Sequence, residues 1–143
     1  VAAARALVVQ WESGEPIYGQ IARQLRGMIA SGSLPPGSRL PPVRVVASDL
    51  GVNLNTVARA YRQLEEEGFV EVRERQRAVV LPPPSRPARA DRRRFEDELR
   101  GLLGRMRQAG FAFEEIERIA RREIAALARG WAKPPVREAP GRP

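Results

Sequence analysis

Residues 43–62 read VRVVASDLGVNLNTVARAYR, and this stretch decides the fold. Val43, Val46, Ala47 and Leu50 recur at i, i+3, i+4 and i+7, the spacing of one helical face. Gly51 follows, where a left-handed residue ends a helix at little steric cost. Val57, Ala60, Tyr61 and Leu64 then form the inner face of a second helix. Ala47 is small where the two helices would cross, and Val52 plugs the corner. This is the spacing of a helix-turn-helix, whose second helix enters a DNA major groove. An ordinary helical hairpin in a core is the other arrangement such a stretch allows.

Working upstream, Ile17, Ile21, Leu25, Met28 and Ile29 predict a helix over 17–31, closed by Gly32. Pro16 stands where such a helix can start. Leu7, Val9 and Trp11 alternate with other residues, as in an extended arm lying on the domain. LPPGSRLPP, residues 34–42, reads as a rigid ordered connection with Leu40 buried and Pro41-Pro42 opening the next helix.

Downstream, Gly68 stops the second helix after Glu65-Glu66-Glu67, an acidic triplet expected to be its solvated end. Phe69, Val70 and Val72 start one strand and 78–81 form another, around the polar tip Arg73-Glu74-Arg75-Gln76-Arg77. Helix, helix-turn-helix and β-hairpin together make a winged helix. Three prolines at 82–84 cannot continue a central strand. They place a DNA-binding domain over 1–84 and a separate segment over 85–143.

In that segment the spacing predicts helices over 89–109 and about 113–129, ended by Gly110 and Gly130. Their apolar stripes contain Phe95, Leu99, Leu102, Leu103 and Met106, then Ile116, Ile119, Ile124 and Leu127. Two helices this small cannot bury both stripes against each other alone. A second copy would complete the core, so residues 89–130 are expected to form a homodimer; folding back onto the winged helix is the alternative. Residues 131–143 read as a Pro-rich disordered tail. The expected class is therefore mainly α with a small β-hairpin wing, a winged helix-turn-helix followed by a two-helix dimerisation hairpin.

Composition narrows the chemistry. The 143 residues contain no Cys and no His, which excludes disulfides, imidazole catalysis and the usual zinc sites. No cofactor and no metal is expected. Glu65–Glu67 and Glu114-Glu115 are the nearest thing to paired acids, with no phosphate loop beside them, so the chain does not read as an enzyme. No apolar run approaches the ~18 residues of a membrane span, and a cytoplasmic location is expected. The net charge is +8, which suits a polyanionic partner. Most of it lies outside the winged helix: residues 1–84 carry ten arginines against eight acids, and 85–143 carry fifteen basic residues against nine acids. Arg92-Arg93-Arg94 is the densest cluster, read either as a solvated helix start or as a contact to flanking DNA.

PIYGQI (16–21), SGSLPPGSRLP (31–41) and LGVNLNTVARAYRQLEEEGFV (50–70) resemble the N-terminal module of GntR-family bacterial transcription regulators. The resemblance runs from 16 to 81 with its motifs in order. The short C-terminal segment and the asparagines of GVNLNT are similar to the YtrA-like branch. That branch implies dimerisation through the C-terminal helices and repression of small operons, often for transporters. The chain departs from the family at Leu40-Pro41-Pro42, where Leu-Pro-Ser is usual, and at Arg75-Gln76-Arg77, where the family's wing carries Gly-x-Gly.

Recognition helices present their N-terminal residues to base edges, which selects Asn53, Asn55 and Thr56, with Arg59 one turn on. Asn can pair bidentately with adenine, and Thr can meet a thymine methyl. Asn53 suits an N-cap equally well. The resemblance makes Arg44 a DNA-contacting arginine. Arg39, Arg62 and Tyr18 are candidate phosphate ligands, and Arg75 and Arg77 are placed for a minor groove or its phosphates. The expected activity is a dimeric, sequence-specific repressor on a pseudo-palindromic operator. A winged-helix protein-interaction module would instead show an apolar recognition face. Residues 85–143 are too few for an enclosed metabolite pocket in one chain, and the sequence marks no small-molecule effector site.

Overall fold

Apolar periodicity and turn chemistry agree along most of the chain, and the elements follow them. The computed structural model describes residues 6–73 and 77–131. It contains α1 (Ile17–Ala30), α2 (Val43–Leu50), α3 (Leu54–Glu66), β1 (Val70–Arg73), β2 (Arg77–Val80), α4 (Arg89–Gln108) and α5 (Phe113–Trp131). Two compact units result, the second spanning Pro83–Arg129.

In the first unit, α1, α2 and α3 bury their predicted faces together. Ile21, Leu25, Val46, Val57 and Leu64 are wholly enclosed, with Ala47, Ala60 and Tyr61 beside them. Each such large aliphatic residue contributes about 1.5–3 kcal/mol over its exposed state. Gly51 takes φ 66°, and the Val52 N–H reaches back to the Ala47 carbonyl at 3.0 Å, closing α2 with the left-handed turn its sequence predicts. Pro42 sits at the cap position of α2 rather than inside its first turn, and no side chain caps that helix.

β1 and β2 pair antiparallel, Val70 opposite Val80 and Arg73 opposite Arg77. The Pro-rich connection adds a third rung to this sheet. The Leu40 N–H donates to the Ala78 carbonyl and the Val80 N–H to the Ser38 carbonyl, both at 2.8 Å, placing Arg39 across from Val79. Leu40 is buried, as expected.

The arm before α1 is held by side chains. Gln24 accepts from the Val8 N–H and donates to the Val8 carbonyl; Gln20 does the same for Gln10. Leu7 enters the core beneath these contacts.

The acidic triplet is not merely solvated. Glu65 accepts the Val72 N–H at 2.7 Å, and Glu67 forms a two-pronged pair with Arg26 at 2.8 Å, while Glu66 is exposed. Arg26 also lies over the Phe69 ring. The acids clamp the end of α3 to β1 and to α1, which offsets their unfavourable position near a helix C-terminus.

In the second unit Gly110, at φ 101°, ends α4. α4 and α5 are not packed side by side along their lengths. α4 buries no residue at all. The predicted stripe is divided accordingly. Ile116 is buried, and Leu103, Met106 and Ile119 are half-buried. Phe95 (54%), Leu99 (55%), Leu102 (46%), Ile124 and Leu127 are exposed. α5 does not stop at Gly130 but runs to Trp131. A helical glycine costs only about 1 kcal/mol relative to alanine, too little to force an end. Arg75 and the tail 132–143 lie outside the described residues.

Two consequences are measurable. The Tyr61 hydroxyl donates to the Pro41 carbonyl inside the core, and burial raises its pKa, keeping it a neutral donor. Tyr61→Phe leaves that carbonyl unpaired and should cost about 1–3 kcal/mol in urea denaturation. For Glu67, burial alone raises the carboxyl, but hydrogen bonds from Arg26 and Gln63 and the Arg26 charge outweigh it and lower the pKa. A carboxyl lowered by folding stabilises above its unfolded value of 4.5 and loses that contribution as pH falls through the folded value. Glu67→Gln should therefore flatten the decline of stability below about pH 4.5, read from unfolding midpoints across an acid series.

Candidate nucleic-acid interface

α3 turns Val57, Ala60, Tyr61 and Leu64 inward, so helical geometry sends Asn55, Arg59 and Arg62 outward at i, i+4 and i+7. All three are exposed, and Thr56 is half-buried beside them. Asn53 precedes the helix in an extended conformation, and its Oδ1 accepts the Asn55 N–H at 2.8 Å. Of its two readings the structure realises the N-cap.

The other candidates come from separate elements. Arg44 is exposed in the first turn of α2. Arg39 is exposed on the rung beside β2, and Arg77 is exposed where β2 begins. Tyr18, on α1, is half-buried with the Arg59 guanidinium stacked over its ring at 3.9 Å. These two, singled out as independent ligands, are one unit: the ring holds the cation over its face and restricts where it can reach. Sequence reasoning had no signal for that stack, because the residues lie on different helices.

Acids are distributed selectively among the arginines of this unit. Arg23 pairs with Glu15 at 3.1 Å, Arg26 with Glu67 at 2.8 Å and Arg73 with Glu71 at 3.0 Å. Arg39, Arg44, Arg59, Arg62 and Arg77 meet no carboxylate among the described residues. A net charge of only +2 over residues 1–84 therefore conceals a set of uncompensated cations on the elements that carry the recognition residues. Arg73 and Glu71 were not among the candidates from sequence; their place on the sheet emerges only from the strand register. In the second unit Arg94 meets Asp91, Glu98 and the Phe95 ring, so one member of the 92–94 cluster is engaged locally. Among the described residues no group of acidic side chains is arranged to hold a metal ion, and no helix is long and apolar enough to cross a membrane.

The cap and the outward face separate in their consequences. Asn53→Ala should cost about 1 kcal/mol of stability by losing the cap. Asn55→Ala and Arg44→Ala should leave the unfolding midpoint unchanged while removing sequence-specific binding in a salt-controlled gel shift; unchanged specificity would remove both from the interface.

Comparison with known proteins agrees with this geometry. Residues 17–80 match the description "Bacterial regulatory proteins, gntR family". The HTH-type transcriptional regulator Rv1152 of Mycobacterium tuberculosis is 49% identical over 69 residues, covering 48% of this chain and 57% of that protein. The HTH-type transcriptional repressor YtrA of Bacillus subtilis is 31% identical over 123 residues, 85% of this chain and 93% of that one. Among solved structures, YtrA from Sulfolobus acidocaldarius, a GntR-family transcription factor, aligns at TM-score 0.58 and 39% identity, over 69% of this chain and 94% of its own. These relatives are transcription regulators rather than enzymes. With its helix-turn-helix, its β-hairpin wing and a short helical C-terminal segment, the chain belongs to the gntR family of bacterial regulatory proteins, as a transcription regulator of the YtrA-like kind.

Proposed function

We propose that the protein is a dimeric cytoplasmic repressor that occludes a pseudo-palindromic operator, with small operons such as those of transporters as its targets. The observation that carries this reading is the selective pairing of charge: among the described residues of this unit, Arg39, Arg44, Arg59, Arg62 and Arg77 meet no carboxylate, while Arg23, Arg26 and Arg73 do. α3 reads the major groove through Asn55 and Thr56, with Arg59 positioned by Tyr18. Arg44 adds to the sequence-specific contact, Arg39 and Arg62 bind backbone phosphates, and Arg77 and Arg75 are the ligands for a minor groove or its phosphates. The word repressor follows the relative of that name from Bacillus subtilis.

Dimerisation is supported by the exposed stripe of α4. Phe95, Leu99 and Leu102 recur at i, i+4 and i+7 and are exposed, and Ile124 and Leu127 are exposed on α5. A second copy covers both stripes, with half-buried Leu103, Met106 and Ile119 and buried Ile116 as the floor. Two-fold symmetry then gives two α3 helices and two half-sites.

Selection of bound sequences from a random DNA pool should return paired half-sites about one helical turn, or a multiple, apart. Recovery of no preferred sequence would leave a protein-interaction module in its place. Leu99→Arg with Leu102→Arg should yield a folded monomer in analytical ultracentrifugation that protects single half-sites weakly.

A further inference from the structure

Among the described residues, the outer face of the wing sheet carries Arg39, Arg73 and Arg77 with one carboxylate, Glu71. The register makes this necessary. Val70 with Val80 and Val72 with Ala78 share one face of the ladder, buried except at Val72, which is exposed at the trough's margin, so Glu71 with Val79 and Arg73 with Arg77 share the other. The third rung sets Arg39 directly across from Val79, on that same outward face. These side chains line a shallow trough beside Gly37. Val79 is only 8% exposed although it stands apart from the central core cluster, as expected beneath the stems of long charged neighbours. Arg39 and Arg77 meet no carboxylate among the described residues, whereas the Arg73 Nε is held by the Glu71 Oε2 at 3.0 Å.

We propose that this trough binds a phosphodiester of the DNA backbone, and that Glu71 is an internal competitor of that phosphate for Arg73. The proposal rests on the DNA-binding reading above. A phosphate entering between Arg39 and Arg77 meets a site whose third cation is already satisfied by a carboxylate. Binding there exchanges one ion pair for another, and leaves Glu71 beside an anion. Arg39 and Arg77 hold the backbone, and the Glu71–Arg73 pair reduces what the site contributes. The affinity of the wing is therefore set below what its arginines would allow. The same chemistry would accept a free phosphoanion.

The test uses the full chain with a selected duplex and with tripolyphosphate, each titrated over a range of salt. Glu71→Gln should tighten duplex binding roughly two- to fivefold, the size of one exposed ion pair. It should also steepen the slope of log K against log salt by about 0.9, the value of one further phosphate contact. Glu71→Gln combined with Arg73→Gln should lose that gain. Glu15→Gln removes the same charge from the Arg23 pair on another element and should not reproduce it. A gain that persists without Arg73, or that Glu15→Gln matches, overturns the proposal and leaves the DNA-binding reading standing. If neither the wild type nor the variant binds duplex, the DNA reading falls. A Glu71-dependent gain for tripolyphosphate then assigns the trough to a free phosphoanion, and no gain for either ligand removes the trough as a site. Thermal melts of each variant confirm the fold; Glu71 and Arg73 lie on exposed positions and Glu15 on a half-buried one.

Discussion

One buried hydrogen bond, from the phenol of Tyr61 to the carbonyl of Pro41, links the reading helix to everything that surrounds it. Pro41 stands between Leu40, whose N–H belongs to the sheet, and Pro42, whose carbonyl receives the first backbone bonds of α2. Tyr61 sits on the inner face of α3. The orientation of α3, the start of α2 and the edge of the wing therefore meet at one point inside the core. A buried polar contact of this kind has a defined partner and direction, which aliphatic packing lacks, and an unmatched buried polar group costs more than an equivalent loss of area. Val46, Val57 and Leu64 are fully buried in the same core.

Around that point charge is used for two opposed purposes. Glu67 draws Arg26 onto the end of α3, and Glu65 takes the backbone N–H of Val72, so acids near the helix terminus serve as structural ties. Arg59 is positioned by an aromatic ring instead of an acid, which orients the guanidinium without neutralising it. A cation restrained in this way retains its full field toward a polyanion. The net charge of the unit says little about its surface, because what matters is which arginines are paired.

The helices were legible because their determinants are local. Val43, Val46, Ala47 and Leu50 repeat within two turns, and Gly51 marks the end of α2 by its own conformational preference. The β-hairpin was legible from Val70, Val72 and the residues after 77 for the same reason. What escaped depends on partners distant in sequence. The rung at Arg39 and Val79 joins segments forty residues apart, and no periodicity within either one announces it. The Arg59–Tyr18 stack is of the same kind, and so is the use of Glu67 as a tie. Asn53 remained ambiguous in sequence because one residue type serves both capping and adenine recognition; its Oδ1 geometry realises the cap. The exposed stripe on α4 was visible as a pattern, while its division into enclosed and bare residues required the helix positions.

The arm before α1 follows a different logic. Gln20 and Gln24, one turn apart on α1, each offer an amide that copies the donor and acceptor of a peptide bond. The helix thereby presents two false backbone units to an extended chain, and the arm docks as though onto the edge of a sheet. Recognition passes through the N–H and carbonyl of Val8 and Gln10, so the side chains at those positions are free to drift over evolutionary time. Proline is the exception, since it has no N–H to give. Neutral amides also neither titrate nor attract counterions. The arm is thus attached by the part of the molecule least sensitive to the salt and acidity that govern its opposite chemistry, the binding of a polyanion.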